Sequence, residues 1–120
     1  MNTKLKGHWG EQQAADYLKR KKYRIVGLNF SSRFGEIDII AEKREYIVFL
    51  EVKLRKDTHF AAAREFVTKT KQKKIIKTAA LWLSRNNCEK QARFDVIEVY
   101  APNGIGSSVL RINHIENAFE

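Results

Sequence analysis

The chain has 120 residues, 43% of them hydrophobic, with 23 Lys and Arg against 14 Asp and Glu, a formal charge of +9 and a pI near 9.8. That length gives one domain burying roughly two thirds of its unfolded surface, and the apolar content excludes a disordered chain. The basic excess points to a polyanion, most often nucleic acid, while a single cysteine, Cys88, excludes an intrachain disulfide framework and a multi-cysteine zinc site.

The opening stretch MNTKLKGHWGEQQ has no apolar segment of signal type. No run approaches the roughly 18 apolar residues of a membrane span. The expectation is a cytoplasmic protein without a membrane partner. Leu5 to Lys22 carries a helical period, with Gly7, Glu11, Ala14, Ala15 and Leu18 on one face. Glu11 is a carboxylate on the stripe that should pack inward. It is either an edge residue bonded to water or a lysine, or a functional group. His8 reads as a surface histidine and Trp9 as a packing residue. The cluster Lys19-Arg20-Lys21-Lys22 suits a helix C-terminus, and with Arg24 and Arg33 it would equally form a phosphate-binding rim.

Tyr23 to Phe30 reads as a strand in which Gly27 permits a bulge, and Ser31 to Gly35 as a turn. From Gly35 to Leu54 there are two apolar runs, each with charges at every second position. Glu36 and Asp38 alternate with Ile37 and Ile39. Glu51 and Lys53, split by Val52, follow Ile47 to Leu50. Residues at i and i+2 of a strand share a face. A turn centred between Arg44 and Glu45 would set Asp38 opposite Glu51 and Glu36 opposite Lys53.

Three carboxylates and one ammonium on one face make either a solvated cross-strand ladder or a cation site. Buried charge without a partner is costly, and hard cations such as Mg²⁺ take one or two carboxylates with water and substrate phosphate. The apolar run before Glu51 indicates a strand buried on both faces, which favours the site.

Arg55 to Thr70 shows no clear period and reads as a loop with a short helical turn around Ala61 to Phe66. His59 within it is either incidental or a proton shuttle. Lys69 to Arg85 is the clearest helix, with Gln72, Ile76, Ala79, Ala80 and Leu83 on one face, broadened by Ile75 and Trp82. Lys69, Lys71, Lys73, Lys74 and Lys77 crowd its first half, where they oppose the helix dipole and repel one another. A polyanionic ligand would account for them. Gln72, like Glu11, is polar at the start of an apolar face. Cys88 reads as an inert thiol near the helix end. Ala92 to Tyr100 alternates as a strand, parallel to a neighbour because a helix precedes it. Val109 to Ile112 reads as a short edge strand and His114 to Phe119 as a short helical tail.

The stretches GxxGExxAxxYL (Gly7 to Leu18), RFGEIDIIA (Arg33 to Ala41), FLEVKLR (Phe49 to Arg55), KQKKI (Lys71 to Ile75) and RFDVIEV (Arg93 to Val99) resemble the YraN-like family of small bacterial predicted endonucleases. Asp38 followed by Glu51-Val52-Lys53 is similar to the Asp…Glu-x-Lys pattern of the restriction-endonuclease-like superfamily. Glu11, Asp38, Glu51 and Lys53 together are similar to archaeal Holliday-junction resolvases, which act as dimers. Two departures are Ile37, where a proline often precedes the aspartate, and HFAAAREFV after Arg55, where these proteins usually have a glycine and a proline.

The resemblance implies an α/β fold with a restriction-endonuclease-like core: a mixed central sheet in the order α-β-β-β-α-β flanked by helices. It implies a single nuclease-like domain over 1–120, with its core at about 5–100 and a C-terminal edge strand and tail over 101–120. Asp38 and Glu51, with the Val52 carbonyl, would be ligands of Mg²⁺ or Mn²⁺, and Glu11 would complete or support a second metal position. Lys53 would position or deprotonate the attacking water, and Gln72, with Lys71, would orient these groups or the scissile phosphate. Arg33, Arg55, Lys69, Lys73, Lys74 and Lys77, with Lys19 to Lys22, would contact nucleic acid. The expected activity is a metal-dependent endonuclease on DNA, branched forms included, with a homodimer by analogy. A binding module without useful catalysis and an RNA-directed role are the alternatives.

Overall fold

The computed structural model describes residues 3–56, 67–104 and 111–120, with side chains from residue 8 onward. The expected helical turn over Ala61 to Phe66, His59, and the start of the Val109 to Ile112 segment lie outside the described residues. The elements in order are α1 (Thr3–Arg20), β1 (Arg24–Ser31), β2 (Glu36–Lys43), β3 (Tyr46–Arg55), α2 (Lys69–Arg85), β4 (Gln91–Tyr100) and β5 (Arg111–Phe119). All five strands form one sheet in the order β1-β2-β3-β4-β5. Neighbours are antiparallel except β3 and β4, which run parallel and are joined through α2. This is the α/β arrangement with a mixed sheet that the sequence leads one to expect.

The helices lie on opposite faces. On one, Ala14, Ala15 and Leu18 of α1 pack on Ile39, Ala41, Val48, Leu50, Ile97 and Val99. On the other, Ile75 and Ala79 of α2 pack on Ile37, Ile40, Ile47, Phe49, Phe94 and Val96. The uninterrupted run Ile47 to Leu50 is therefore explained: β3 is central and apolar on both sides. Gly27 coincides with a register shift between Ile25 and Gly27, the bulge its lack of a Cβ allows. On α2 the buried stripe differs by one step from the expected one. Ala80 is exposed, and Thr78 is buried with its hydroxyl donating to the Lys74 carbonyl at 2.8 Å and lying 2.8 Å from Ser32 Oγ.

The C-terminal segment corrects an expectation. His114 to Phe119 is not a helical tail but most of β5, paired with β4 from Tyr100↔Arg111 to Phe94↔Phe119. The reason is β4, which is buried along most of its length. A strand buried there cannot leave its outer amides and carbonyls unpaired. A polar anchor adds to the ladder. Asp95, fully buried, accepts from Arg93 Nε at 3.0 Å, Arg93 Nη2 at 2.9 Å, His114 Nε2 at 2.7 Å and the Asn117 amide at 2.9 Å. Tyr17 Oη lies 3.2 Å from His114 Nδ1, so α1, β4 and β5 meet at this one carboxylate.

Helix α2 has no acidic residue in its first turn and opens on lysines, so its start depends on its cap. Thr68 is extended (φ −62°, ψ 160°) and its hydroxyl accepts from the Lys71 amide at 3.1 Å. Thr68→Ala is expected to cost about 1 kcal/mol, read as a lower urea midpoint at unchanged slope.

Candidate functional site

The hairpin of β2 and β3 has the register the sequence indicates. Lys43↔Tyr46 closes a two-residue turn with Arg44 at φ 57°, and pairing continues to Ile39↔Leu50. There the strands part. The β1–β2 ladder runs on to Ser31↔Glu36, so β2 leaves β3 in company with β1. Asp38 sits at the fork. Its Oδ2 accepts from the Val52 amide at 2.8 Å, so a side chain replaces the next backbone rung. The expected Glu36 to Lys53 pairing is consequently not made. Glu36 is exposed on the β1 side, with Ser31 Oγ 3.3 Å from its carboxylate.

Glu51, 7% exposed, extends the inward series Ile47, Phe49 and faces the start of α2. Two ammonium groups meet its Oε1: Lys71 Nζ at 2.5 Å and Lys53 Nζ at 3.4 Å. Glu11 reaches the same region from α1. Its Oε1 is buried without a hydrogen-bond partner among the described residues, and Asn29 bonds to the carboxyl. Asn29 (φ 50°) lies between the pairs Leu28↔Ile39 and Phe30↔Ile37, opposite Asp38. Its left-handed backbone suits asparagine.

The electrostatics agree with this convergence. Burial, reinforced by the Glu51 charge and by Glu11, pushes the Asp38 carboxyl up to about 7 against the opposing Val52 hydrogen bond. Burial also raises Glu11, with the Glu36 and Glu51 charges adding to the rise. Lys53 is lowered by burial, opposed by Glu51 and assisted by Lys71. Burial would lower Lys71 too, but its hydrogen bond to Glu51 and that residue's charge carry it upward. The Glu51 charge thus acts on both Asp38 and Glu11.

Gln72 is placed elsewhere: its Nε2 donates to the Val67 carbonyl at 2.9 Å, and Lys71 takes the position facing Glu51. Arg55 approaches the fully buried Glu98, with Nε 3.5 Å from Oε2, so it is an ion-pair partner rather than a rim cation. Lys69, Lys73, Lys74 and Lys77 are exposed on α2. Arg33 lies across the Phe34 ring at 4.9 Å and Lys77 at 5.4 Å, so the β1–β2 turn and α2 share one basic flank. Lys19 to Lys22 do not join it. Lys19 and Arg20 end α1, about 12–14 Å along the helix axis from Glu11, and Lys21 and Lys22 follow in the turn, with Lys21 over the Tyr17 ring.

Between turn and helix lies a cavity of about 320 Å³ lined by Gly35, Glu36, Thr68, Thr70, Lys71, Lys74 and Ile75. Asn29 and the Lys71–Glu51 contact are not visible as pattern in the sequence. The Asp95 anchor has a signal in Arg93-x-Asp95, the same alternation of opposite charges as Glu51-x-Lys53.

Among the described residues no three His, Cys, Asp or Glu side chains are grouped closely enough to cage a metal ion by themselves. The donors present, two carboxylates with a neighbouring carbonyl and a third carboxylate nearby, are the oxygen set that Mg²⁺ or Mn²⁺ accepts when water and phosphate complete it. Among the described residues no helix is long and apolar enough to cross a membrane.

Residues 10–99 match the family described as Uncharacterised protein family UPF0102. A UPF0102 protein of Caldanaerobacter subterraneus subsp. tengcongensis is 43% identical over 99% of this chain and 98% of its own length. One of Trichlorobacter lovleyi is 47% identical over 95% of this chain and 89% of its own, and one of Clostridioides difficile is 44% identical over 99% of this chain and 100% of its own. The chain therefore belongs to the UPF0102 family, the YraN-like family that its motifs resemble.

Proposed function

We propose that the protein is a phosphodiesterase dependent on Mg²⁺ or Mn²⁺ that cleaves DNA, on a restriction-endonuclease-like core. One observation carries this reading: β2 and β3 part at Asp38, and its carboxylate, Glu51 and Lys53 come together at that fork. Asp38, Glu51 and the Val52 carbonyl would hold the cation, with Glu11 supporting it. When bound, the cation screens the phosphodiester charge and acidifies the attacking water.

The remaining steps belong to the chain. Lys53, with its ammonium pKa depressed by burial, can orient the water or accept its proton, and its protonated form stabilises negative charge developing on the phosphate. Glu11, raised by burial, holds a proton more readily than an exposed glutamate. The exposed lysines of α2 and Arg33 bind phosphates away from the reacting bond, independent of sequence. Branched substrates, a homodimer and a cytoplasmic location belong to the same reading.

The deciding assay is cleavage of single-stranded, duplex, flap and four-way-junction DNA, and of RNA, with and without Mg²⁺ or Mn²⁺. Glu51→Ala and Lys53→Ala serve as controls. Cation-dependent cleavage lost in both variants supports the assignment, and cleavage that survives Glu51→Ala removes it. Affinity for nucleic acid should fall steeply between about 50 and 200 mM salt; affinity flat in salt would remove the polyanion as partner. A second reading, a nucleic-acid-binding module without catalysis, is favoured by the ion pair that already occupies Glu51. A thermal midpoint unmoved by millimolar Mg²⁺ or Mn²⁺, even with DNA present, would support it.

A further inference from the structure

The two ammonium groups at Glu51 Oε1 are anchored differently. Lys53 stands two residues along the same strand, with 24% of its side chain exposed, and is not on the wall of the cavity beside α2. Lys71 reaches in from the first turn of α2, with 40% of its side chain exposed. The same lysine lines the 320 Å³ cavity beside Thr68, Thr70 and Lys74, with Glu36 also on its wall. Both ammonium groups lie on Oε1 of Glu51, so a cation bound at this carboxylate sits close to them whichever oxygen it takes. Adding a divalent charge beside two ammonium groups is repulsive unless one of them leaves.

We infer that Lys71 is an exchangeable counter-ion: it holds Glu51 while the site lacks ligands and passes to a phosphate in the adjoining cavity when a divalent cation takes the carboxylate. The inference rests on the cation site proposed above. Lys74, on the same wall, favours an anion there, and Lys71 reaches either side by rotating its own side chain. Cation and phosphate then bind cooperatively, each weakly alone. Linkage requires the factor by which the phosphate tightens the cation to equal that by which the cation tightens the phosphate.

The test measures binding and needs no turnover. Ca²⁺ and Mg²⁺ are titrated into the intact protein by calorimetry and thermal midpoint, alone, with inorganic phosphate, and with a short duplex oligonucleotide. For the wild type, the oligonucleotide should tighten cation binding by at least about fivefold, with the reciprocal gain in oligonucleotide affinity. Lys71→Gln should bind the cation more tightly than wild type without any phosphate and lose the coupling. Lys77→Gln, on the same helix, should weaken the oligonucleotide and keep the coupling.

Coupling to inorganic phosphate as well would show that a free phosphate suffices for the exchange; coupling to the oligonucleotide alone would assign it to a phosphodiester chain. Cation affinity in Lys71→Gln equal to or below wild type would overturn the exchange while leaving the cation site standing. No cation binding in any arm would remove both. Should Lys71→Gln not fold, the wild-type measurement decides alone, since independent binding of cation and oligonucleotide overturns the exchange.

Discussion

Asp38→Asn is expected to reduce cation-dependent DNA cleavage by about a thousandfold or more, while affinity for the uncut nucleic acid stays the same or tightens. Asparagine keeps the shape and a carbonyl for the Val52 amide, so the fork in the sheet survives and the anionic charge does not. Cleavage within about tenfold of wild type would show that Asp38 holds nothing essential.

The same substitution has a stability signature without cation. The folded-state pKa of Asp38 is raised from 3.8 to about 7. Its favourable contribution is therefore fully present below pH 4 and is lost as pH rises through 7, because the unfolded carboxyl ionises first. Asp38→Asn should be more stable than wild type at pH 8, by about 1–2 kcal/mol once the carboxylate's partial exposure is discounted, with the difference vanishing near pH 4. Saturating Mg²⁺ should abolish the advantage. Denaturant midpoints across that pH range read all of these.

Asp95→Ala is expected to cost about 3–5 kcal/mol, because it strands the charge of a half-buried arginine and removes an acceptor shared by two strands. Hydrogen exchange should show β5 losing protection before the rest of the sheet. Burial would raise Asp95, but hydrogen bonds from His114, Arg93 and the Asn117 amide outweigh it and hold its pKa below the usual 3.8. That contribution is present above pH 4 and is lost as pH falls through the lowered folded-state value. The wild type should therefore weaken in acid more than Asp95→Ala does. Equal protection of β5 in the two proteins would show that the ladder alone holds the strand.

The central hairpin was legible because period and turn length determine register. Ile47 to Leu50 announced a strand covered on both faces, and a two-residue turn fixes Ile39 opposite Leu50. Where the strands part was not legible. That depends on Asp38 bonding a backbone amide fourteen residues away, a choice no local pattern encodes. His114 to Phe119 misled because a short mixed-polarity segment has no clear period, and its conformation is decided by the unpaired edge of β4 and by Asp95. The lysines of α2 were readable as basic but not as different from one another. Only the packing of α2 shows that Lys71 points at Glu51 while Lys69 and Lys73 face solvent. Lys19 to Lys22 were likewise readable only as basic, because charge alone does not tell at which end of the sheet a helix stops.

The tight turn at Arg44 and Glu45 acts as a remote alignment device for Glu51 and Lys53. Everything from Tyr46 to Lys53 is indexed from that corner, and neighbouring strand positions point to opposite faces. An insertion of one residue there, on the exposed tip farthest from the fork, would bring an apolar neighbour, Leu50 or Val52, to the place of Glu51 unless a bulge absorbed it. Changes in hairpin length thus offer a lever on the proposed cation site that touches none of its side chains.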